Sequence, residues 1–140
     1  MDTDTTARTQ TIFPGMRYRD ARATIAWFEK AFDAKRHVIY EDDGGNPIHV
    51  ELIVAGNVFM FGVERGDAYP VRSPHSVGGA TVGLYVALPD AAAVDTLHAR
   101  AHAAGATITK APNDTDYGSH DFSALDLDGH PWTFGTYRPT

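Results

Sequence analysis

One hairpin pattern occurs twice in this sequence, and the repeat limits the folds that the chain can adopt. The stretch ELIVAGNVFMFG begins at Glu51, and ALDLDGHPWTFG begins at Ala124. Aligned without gaps, the two stretches share identical residues at Leu52 and Leu125, Gly56 and Gly129, Phe61 and Phe134, and Gly62 and Gly135. Alternating apolar residues around a glycine-containing turn are typical of a β-hairpin.

The elements before each hairpin repeat as well. Asp20 and Asp90 each precede an apolar pattern of helical spacing, and a carboxylate in that position accepts the first free N–H groups of a helix. The order strand, helix and three strands is therefore predicted twice in one domain: a disordered tail over residues 1–11, a module over 12–63, a linker over 64–79 and a module over 80–138. Each module covers one sheet face with its helix, so two modules can enclose a cavity between their bare faces.

Composition excludes several classes of function. The chain has 140 residues, no cysteine and a formal net charge of −6. Nucleic-acid binding requires clustered Lys and Arg, which this sequence lacks. Its apolar runs are too short to cross a bilayer, and no secretory signal precedes the first strand. We therefore expect a cytoplasmic protein with neither a nucleic-acid nor a membrane partner.

Three stretches together resemble a known superfamily: YRDARATIAWFEKAF from Tyr18, HVELIVAGNVFMFG from His49 and DYGSHDFSALDLDGHPWTFGTYRP from Asp116. They are similar to the vicinal oxygen chelate superfamily, which contains glyoxalases and bleomycin resistance proteins. The resemblance implies an α+β fold in which two tandem βαβββ modules form a U-shaped, cup-like mixed sheet around a ligand. It also implies a homodimer.

The resemblance further implies where members with metal chemistry hold their ion. The four ligand positions fall near Phe13, Glu51, Gly83 and Thr133, of which only Glu51 offers a good donor. A divalent cation normally requires several His, Asp or Glu ligands. We therefore predict no cofactor, with a divalent metal as the disfavoured alternative.

Strand alternation predicts which side chains line the cup. Placing Glu51 inside also places His49 and Ile53 there, and the repeat adds Phe122, Ala124 and Asp126 while turning Leu125 outward. Tyr117 and His120 are predicted near the mouth. The predicted ligand-binding side chains are Phe13, Arg17, Ile53, Met60, Tyr85, Phe122, His120 and Tyr117, and the candidate catalytic pair is His49 and Glu51. In the alternative interpretation, these side chains fill the cavity with one another.

These residues favour a protein that binds a small hydrophobic or aromatic compound, such as an antibiotic, and sequesters it. The alternative is an enzyme of the same superfamily, with lyase, isomerase or dioxygenase-like activity. In it, Glu51 and His49 transfer protons or, with His120, form part of a metal site. A third hypothesis is a partner-binding module with a vestigial pocket.

Overall fold

Two units of the same strand and helix order follow one another along the chain. The structure is a computed structural model that describes residues 9–140. The first unit contains β1 (Gly15–Tyr18), α1 (Ala21–Ala31), β2 (Lys35–Glu41), β3 (Pro47–Val54) and β4 (Asn57–Val63). A short helix, α2 (Pro74–Val77), follows. The second unit contains β5 (Leu84–Ala87), α3 (Ala91–Ala103), β6 (Thr107–Asp114), β7 (His120–Leu125) and β8 (Pro131–Gly135).

Each unit forms a four-stranded mixed sheet, in the orders β1-β4-β3-β2 and β5-β8-β7-β6. The first strand of each unit pairs in parallel with the last, and the other pairings are antiparallel. The predicted caps are present, because Asp20 accepts from the Ala23 N–H and Asp90 from the Ala93 N–H. The predicted α+β fold of tandem βαβββ modules is confirmed. Among residues 9–140, no helix has the length and apolarity needed to cross a membrane.

Two segments differ from the sequence prediction. The sequence APNDTDYG, over residues 111–118, predicts a loop, but β6 continues to Asp114 because it pairs with β7 out to His120 after irregularities in the register. The linker contains α2, where Ser73 accepts a hydrogen bond from the His75 N–H and Gly78 ends the helix with a φ of 79°. Proline at the first helical position and glycine after the last are the residues expected at the two ends of a helix.

The helix-facing sides of both sheets share a single core. Phe28 of α1 lies 5.5 Å from Trp132 of β8, measured between ring centroids, and Phe59 of β4 lies 5.3 Å from the same ring. Phe32, which follows α1, lies 4.9 Å from Phe134. Because these faces meet each other, the opposite face of each sheet points away from the shared core. We call these the first open face (His49, Glu51, Ile53 and Met60) and the second open face (Tyr85, Asp121, Ser123 and Thr133).

A buried carboxylate ties the two units together. Asp126 Oδ2 accepts hydrogen bonds from Tyr18 Oη of β1 at 2.5 Å and from Trp132 Nε1 at 3.0 Å, while Oδ1 accepts from the backbone N–H groups of Gly129 and His130. Burial raises the pKa of the Asp126 carboxyl, and the hydrogen bonds from Tyr18 and Trp132 act in the opposite direction. The link between the units is therefore polar as well as aromatic.

Asp128, two residues further on, joins the linker to the second unit. It accepts hydrogen bonds from Ser73 Oγ at 2.6 Å and from the Arg19 backbone N–H at 2.9 Å. Burial alone raises the pKa of this carboxyl, but the hydrogen bonds from Ser73 and Arg19 outweigh it, so that the pKa of Asp128 is lowered. The loop between β7 and β8 therefore forms a structural junction with the first unit and the linker.

Candidate functional site

The first open face contains a hollow of about 310 Å³. Arg17, His49, Met60 and Tyr69 are among the residues that line it, and three of them were predicted as site residues from the sequence. They converge because β1 and β3 flank β4 in the sheet, so that alternate side chains of all three strands reach the same surface. Tyr69 comes from the linker and closes one side, as expected of a loop residue that borders a binding site.

Arg17 is held in place rather than left available to a ligand. Its guanidinium binds both carboxylate oxygens of Asp67, at 3.3 and 3.0 Å, and lies 4.9 Å from the centroid of the Tyr69 ring. The hydrogen bond from Arg17 lowers the pKa of Asp67, which keeps the carboxylate charged. The bidentate pair and the cation–π contact therefore fix Tyr69 as a rigid aromatic wall of the hollow.

His49 and Glu51 form a direct contact, with His49 Nε2 lying 2.8 Å from Glu51 Oε2. A third group approaches the same carboxylate, because His37 Nε2 of β2 lies 4.0 Å from Glu51 Oε1. His37 lies at the register shift between Arg36 and Val38, where the pairing of β2 with β3 is irregular. The carboxylate can orient the imidazole of His49 toward a bound molecule.

Four further predicted residues do not line this hollow. Phe13 precedes β1 and is exposed, and Ile53 lies on the first open face beyond Glu51. Tyr117 is exposed in the loop before β7, where its ring makes an edge contact with Tyr137. Tyr85 lies on the second open face, and its hydroxyl donates to the backbone oxygen of Tyr137 at 2.5 Å. These residues do not converge with the hollow within one chain.

The predicted orientation of Phe122 is wrong, and so are those of Ala124, Asp126 and Leu125. Phe122 is fully buried in the shared core, with its ring stacked on Phe134 at 5.3 Å. The cause is one additional residue in the second hairpin, because Leu52 pairs with Phe59 but Ala124, not Leu125, pairs with Trp132. A slip of one residue exchanges the two faces of a strand. The open face of β7 therefore carries Asp121 and Ser123, which the sequence reasoning missed.

His120 lies away from both hollow and mouth, in a cluster of its own. Its Nε2 lies 2.7 Å from Asp95 Oδ1 on α3, and its Nδ1 lies 2.8 Å from Asp114 Oδ1 on β6. The hydrogen bonds to Asp95 and Asp114 raise the pKa of His120 above its ordinary value of 6.5. The imidazole therefore links α3 and β6, and it does not join His49 and Glu51 as the metal-dependent alternative required.

This cluster predicts a pH dependence of stability. The folded state holds the His120 proton more tightly than the unfolded chain, so the stabilisation is complete below the unfolded pKa of about 6.5 and disappears as the pH rises through the higher folded pKa. We expect the melting temperature of the wild type to exceed that of His120→Gln most at acidic pH, with the gap narrowing as the pH rises. Scanning calorimetry of both proteins at a series of pH values measures this difference in melting temperature. A difference that widens as the pH rises contradicts the raised pKa of His120.

The donor set does not fit a metal centre of the kind that the family resemblance implies. Within residues 9–140, no group of three or more His, Asp or Glu side chains is arranged to hold a metal ion. Of the four positions implied, Glu51 is the one with a strong ligand, and its carboxylate contacts His49. The absence of a cofactor stays a prediction, and we derive no step through a metal.

Two other hollows lie between the units. One of about 550 Å³ is formed by the start of β1, the linker and the start of β5, and Met16, Val71 and Leu84 are among its lining residues. Another of about 340 Å³ lies between Phe59, Val86 and Trp132. Both are larger than the hollow on the first open face, whose lining residue His49 contacts the Glu51 carboxylate.

Known proteins share both the sequence pattern and the fold. Uncharacterised proteins of Mycobacterium tuberculosis and Mycobacterium bovis are 31% identical over 124 residues, which cover 87% of this chain and 71% and 80% of theirs. The crystal structure of TioX from Micromonospora sp. ML1 superposes with a TM-score of 0.72 and 25% identity, over 92% of this chain and 99% of TioX.

A more distant neighbour is FosX, a fosfomycin resistance protein of Listeria monocytogenes crystallised with Mn(II) and sulfate. It superposes with a TM-score of 0.64 and 14% identity over 93% of each chain, which is a likeness of fold. A family model matches residues 10–134, nearly the whole described chain. The chain belongs to the glyoxalase/bleomycin resistance protein/dioxygenase superfamily.

Proposed function

We propose that this protein binds a small hydrophobic or aromatic compound, such as an antibiotic, on its first open face and sequesters it without a metal. The observation that carries the proposal is the hollow of about 310 Å³ on that face, lined in part by Met60, Tyr69 and His49. Small-molecule sites are largely apolar and contain a few fixed polar groups that orient the ligand. The held Tyr69 ring offers a stacking surface for a flat ligand, and His49 offers one hydrogen-bonding edge.

A second copy of the chain completes the groove in this proposal. Within one chain the two open faces point away from the shared core and do not meet. In the proposed dimer, the second open face of one protomer covers the first open face of its partner. Three large apolar side chains around the linker hollow, Ile12, Val77 and Val82, are strongly exposed and offer further contact area. Exposed apolar patches are typical of protein–protein contacts. Superfamily resemblance supports the same homodimer, and the fosfomycin resistance of FosX supports antibiotics as ligands.

Thermal-shift measurements against a panel of planar aromatic antibiotics test the proposed function. We expect one or more compounds to raise the melting temperature of the wild type, and Met60→Arg to weaken their binding by about tenfold or more because it places a charge in the hollow. Thr96→Arg, at an exposed position of α3, adds the same charge outside the site and serves as the control. Equal binding by Met60→Arg and wild type contradicts the proposed location.

Catalysis by His49 and Glu51 is the second candidate function, and their 2.8 Å contact favours it. A carboxylate-oriented imidazole is a common general base. In the same screen, mass spectrometry of each stabilising compound after incubation separates the two functions. Unchanged compounds support sequestration, whereas turnover that Glu51→Gln abolishes without weakening binding supports an enzyme.

A further inference from the structure

Asp121 is a buried residue, and one of its two carboxylate oxygens has no hydrogen-bond partner in the part of the chain that the structure describes. The residue is only 3% exposed, and its Oδ1 atom has no hydrogen-bond donor among the residues that the structure describes. It is the sole buried side-chain atom in residues 9–140 with this property. Desolvating a carboxylate without compensation costs several kcal/mol, so an orphan of this kind requires an explanation.

The carboxylate belongs to the second open face and not to the core. Its neighbours Phe122 and Ala124 are fully buried on the core side, and strand alternation therefore turns Asp121 the other way, together with Ser123. Asp121 pairs with Gly135 of β8 in the sheet register. In the proposed dimer this face covers the first open face of the partner, so Asp121 belongs to the wall of the same groove.

Glycine at position 135 lets several side chains converge beside this carboxylate. A Cβ atom on Gly135 would lie 2.7 Å from Asp121 Cβ, 2.7 Å from Tyr85 Oη and 2.9 Å from Ser119 Oγ. The Tyr85 hydroxyl donates to the Tyr137 oxygen, and Ser119 Oγ accepts from the Tyr137 N–H. Neither hydroxyl forms a hydrogen bond to Asp121.

Tyrosine residues lie around the same glycine. The Tyr85 hydroxyl lies beside Gly135 and donates to the backbone oxygen of Tyr137, whose ring makes an edge contact with Tyr117 at 5.6 Å between centroids. An unpaired carboxylate oxygen can recognise an organic cation through a charge-assisted hydrogen bond, and neighbouring tyrosine rings can add cation–π attraction. A metal ion is a poorer fit, because it requires several converging donors and Asp121 belongs to no such group in residues 9–140.

We propose that the ligand carries a protonated aliphatic amine on its aromatic body and that Asp121 binds this amine. This inference rests on the proposed function and names the chemical class of its ligand. Tyr85 lies at the surface with its hydroxyl hydrogen-bonded to the Tyr137 oxygen, and the proposal requires this side chain to rotate so that the ammonium group reaches Asp121. The net charge of −6 favours the approach of a cationic compound.

Matched probes test the amine directly. Tryptamine and 2-naphthylmethylamine are titrated beside their neutral counterparts, tryptophol and 2-naphthalenemethanol, by isothermal calorimetry at physiological salt. We expect the wild type to bind each amine about tenfold or more tightly than its alcohol, the value of one charge-assisted hydrogen bond. Asp121→Asn should lose most of this preference without a lower melting temperature. Asp116→Asn, an exposed acid in the preceding loop, removes the same charge and should keep it.

Each other result overturns the inference. If the wild type binds each amine and its alcohol equally, the protein does not recognise a protonated amine, although the proposed function is unaffected. This comparison needs no variant. Binding of none of the four probes contradicts the proposed function as well. Light scattering measures the oligomeric state of Asp121→Asn. If this variant no longer forms a dimer but keeps its preference for the amines, Asp121 contacts the partner subunit instead of the ligand.

Discussion

Replacing Phe32 with alanine is expected to lower the free energy of unfolding by about 3–5 kcal/mol, the usual cost of truncating a buried phenylalanine. The side chain is almost fully buried and touches aromatic rings of both units, among them Phe28 at 5.5 Å and Phe134 at 4.9 Å. Because Phe32 bridges the two units, its loss should destabilise both together. Urea denaturation, followed by tryptophan fluorescence and circular dichroism, measures the effect as one shared transition.

Phe13→Ala is the matched control, since Phe13 is exposed before β1. We expect this control to change the free energy of unfolding by less than about 0.5 kcal/mol, as for most surface substitutions. A Phe32→Ala protein as stable as the control, or one whose two probes report separate transitions, contradicts a core shared by the two units. The outward direction of the open faces would then have no support.

Asp126→Ala is expected to cost about 3 kcal/mol or more, because each buried donor left without an acceptor costs about 1–3 kcal/mol. The substitution deprives Tyr18 Oη and Trp132 Nε1 of their acceptor, together with the backbone N–H groups of Asp128 and His130. Tyr18 belongs to the first unit and the other groups to the second. The lost hydrogen bonds therefore weaken the junction between the two units and not a single unit.

Equilibrium denaturation of Asp126→Ala is compared with that of Asp116→Ala, which removes an exposed carboxylate in the same unit. We expect the control to stay within about 0.5 kcal/mol of the wild type. Tyr18→Phe should fall between the two, because it removes one hydrogen bond and leaves the other donors satisfied. If Asp126→Ala matches the control, the carboxylate does not hold the junction.

The sequence was sufficient to predict the strands and helices where alternation is unbroken. Val50, Leu52 and Val54 alternate with His49, Glu51 and Ile53, which predicts that they face the helix, and all three lie in the core. The turn between β3 and β4 uses Ala55 and Gly56, both in the left-handed region with φ of 49° and 81°, which is the short turn expected for such a hairpin.

The same reasoning assigned the wrong faces to β7 of the second hairpin, because the loop between β7 and β8 has one residue more than the turn between β3 and β4. Gapless alignment of the repeat matched Leu125 with Leu52, although Ala124 occupies the equivalent place in the register. Gly129 and Phe134 lie after the additional residue and are correctly aligned with Gly56 and Phe61. Their identity therefore does not reveal that β7, which precedes the additional residue, is misaligned. Asp121 was missed for this reason, since the misaligned strand turned it toward the core.

The direction of the open faces was also beyond the sequence. The sequence pattern of a sheet face covered by a helix does not depend on how the two units pack. It is the same if the units meet through their bare sheet faces and if they meet through their helix-facing sides. Contacts between distant residues decide it, such as Phe59 with Trp132 at 5.3 Å. The convergence of Arg17, Met60 and Tyr69 likewise depends on the path of the linker, which no periodic pattern encodes.

A crystal structure with a stabilising compound from the screen tests the proposed site most directly. We expect its density against Met60 and His49 on the first open face of one protomer, covered by the second open face of its partner. Density confined to the linker hollow beside Val71 and Leu84, or a monomer with nothing bound at Met60, would contradict the proposed groove.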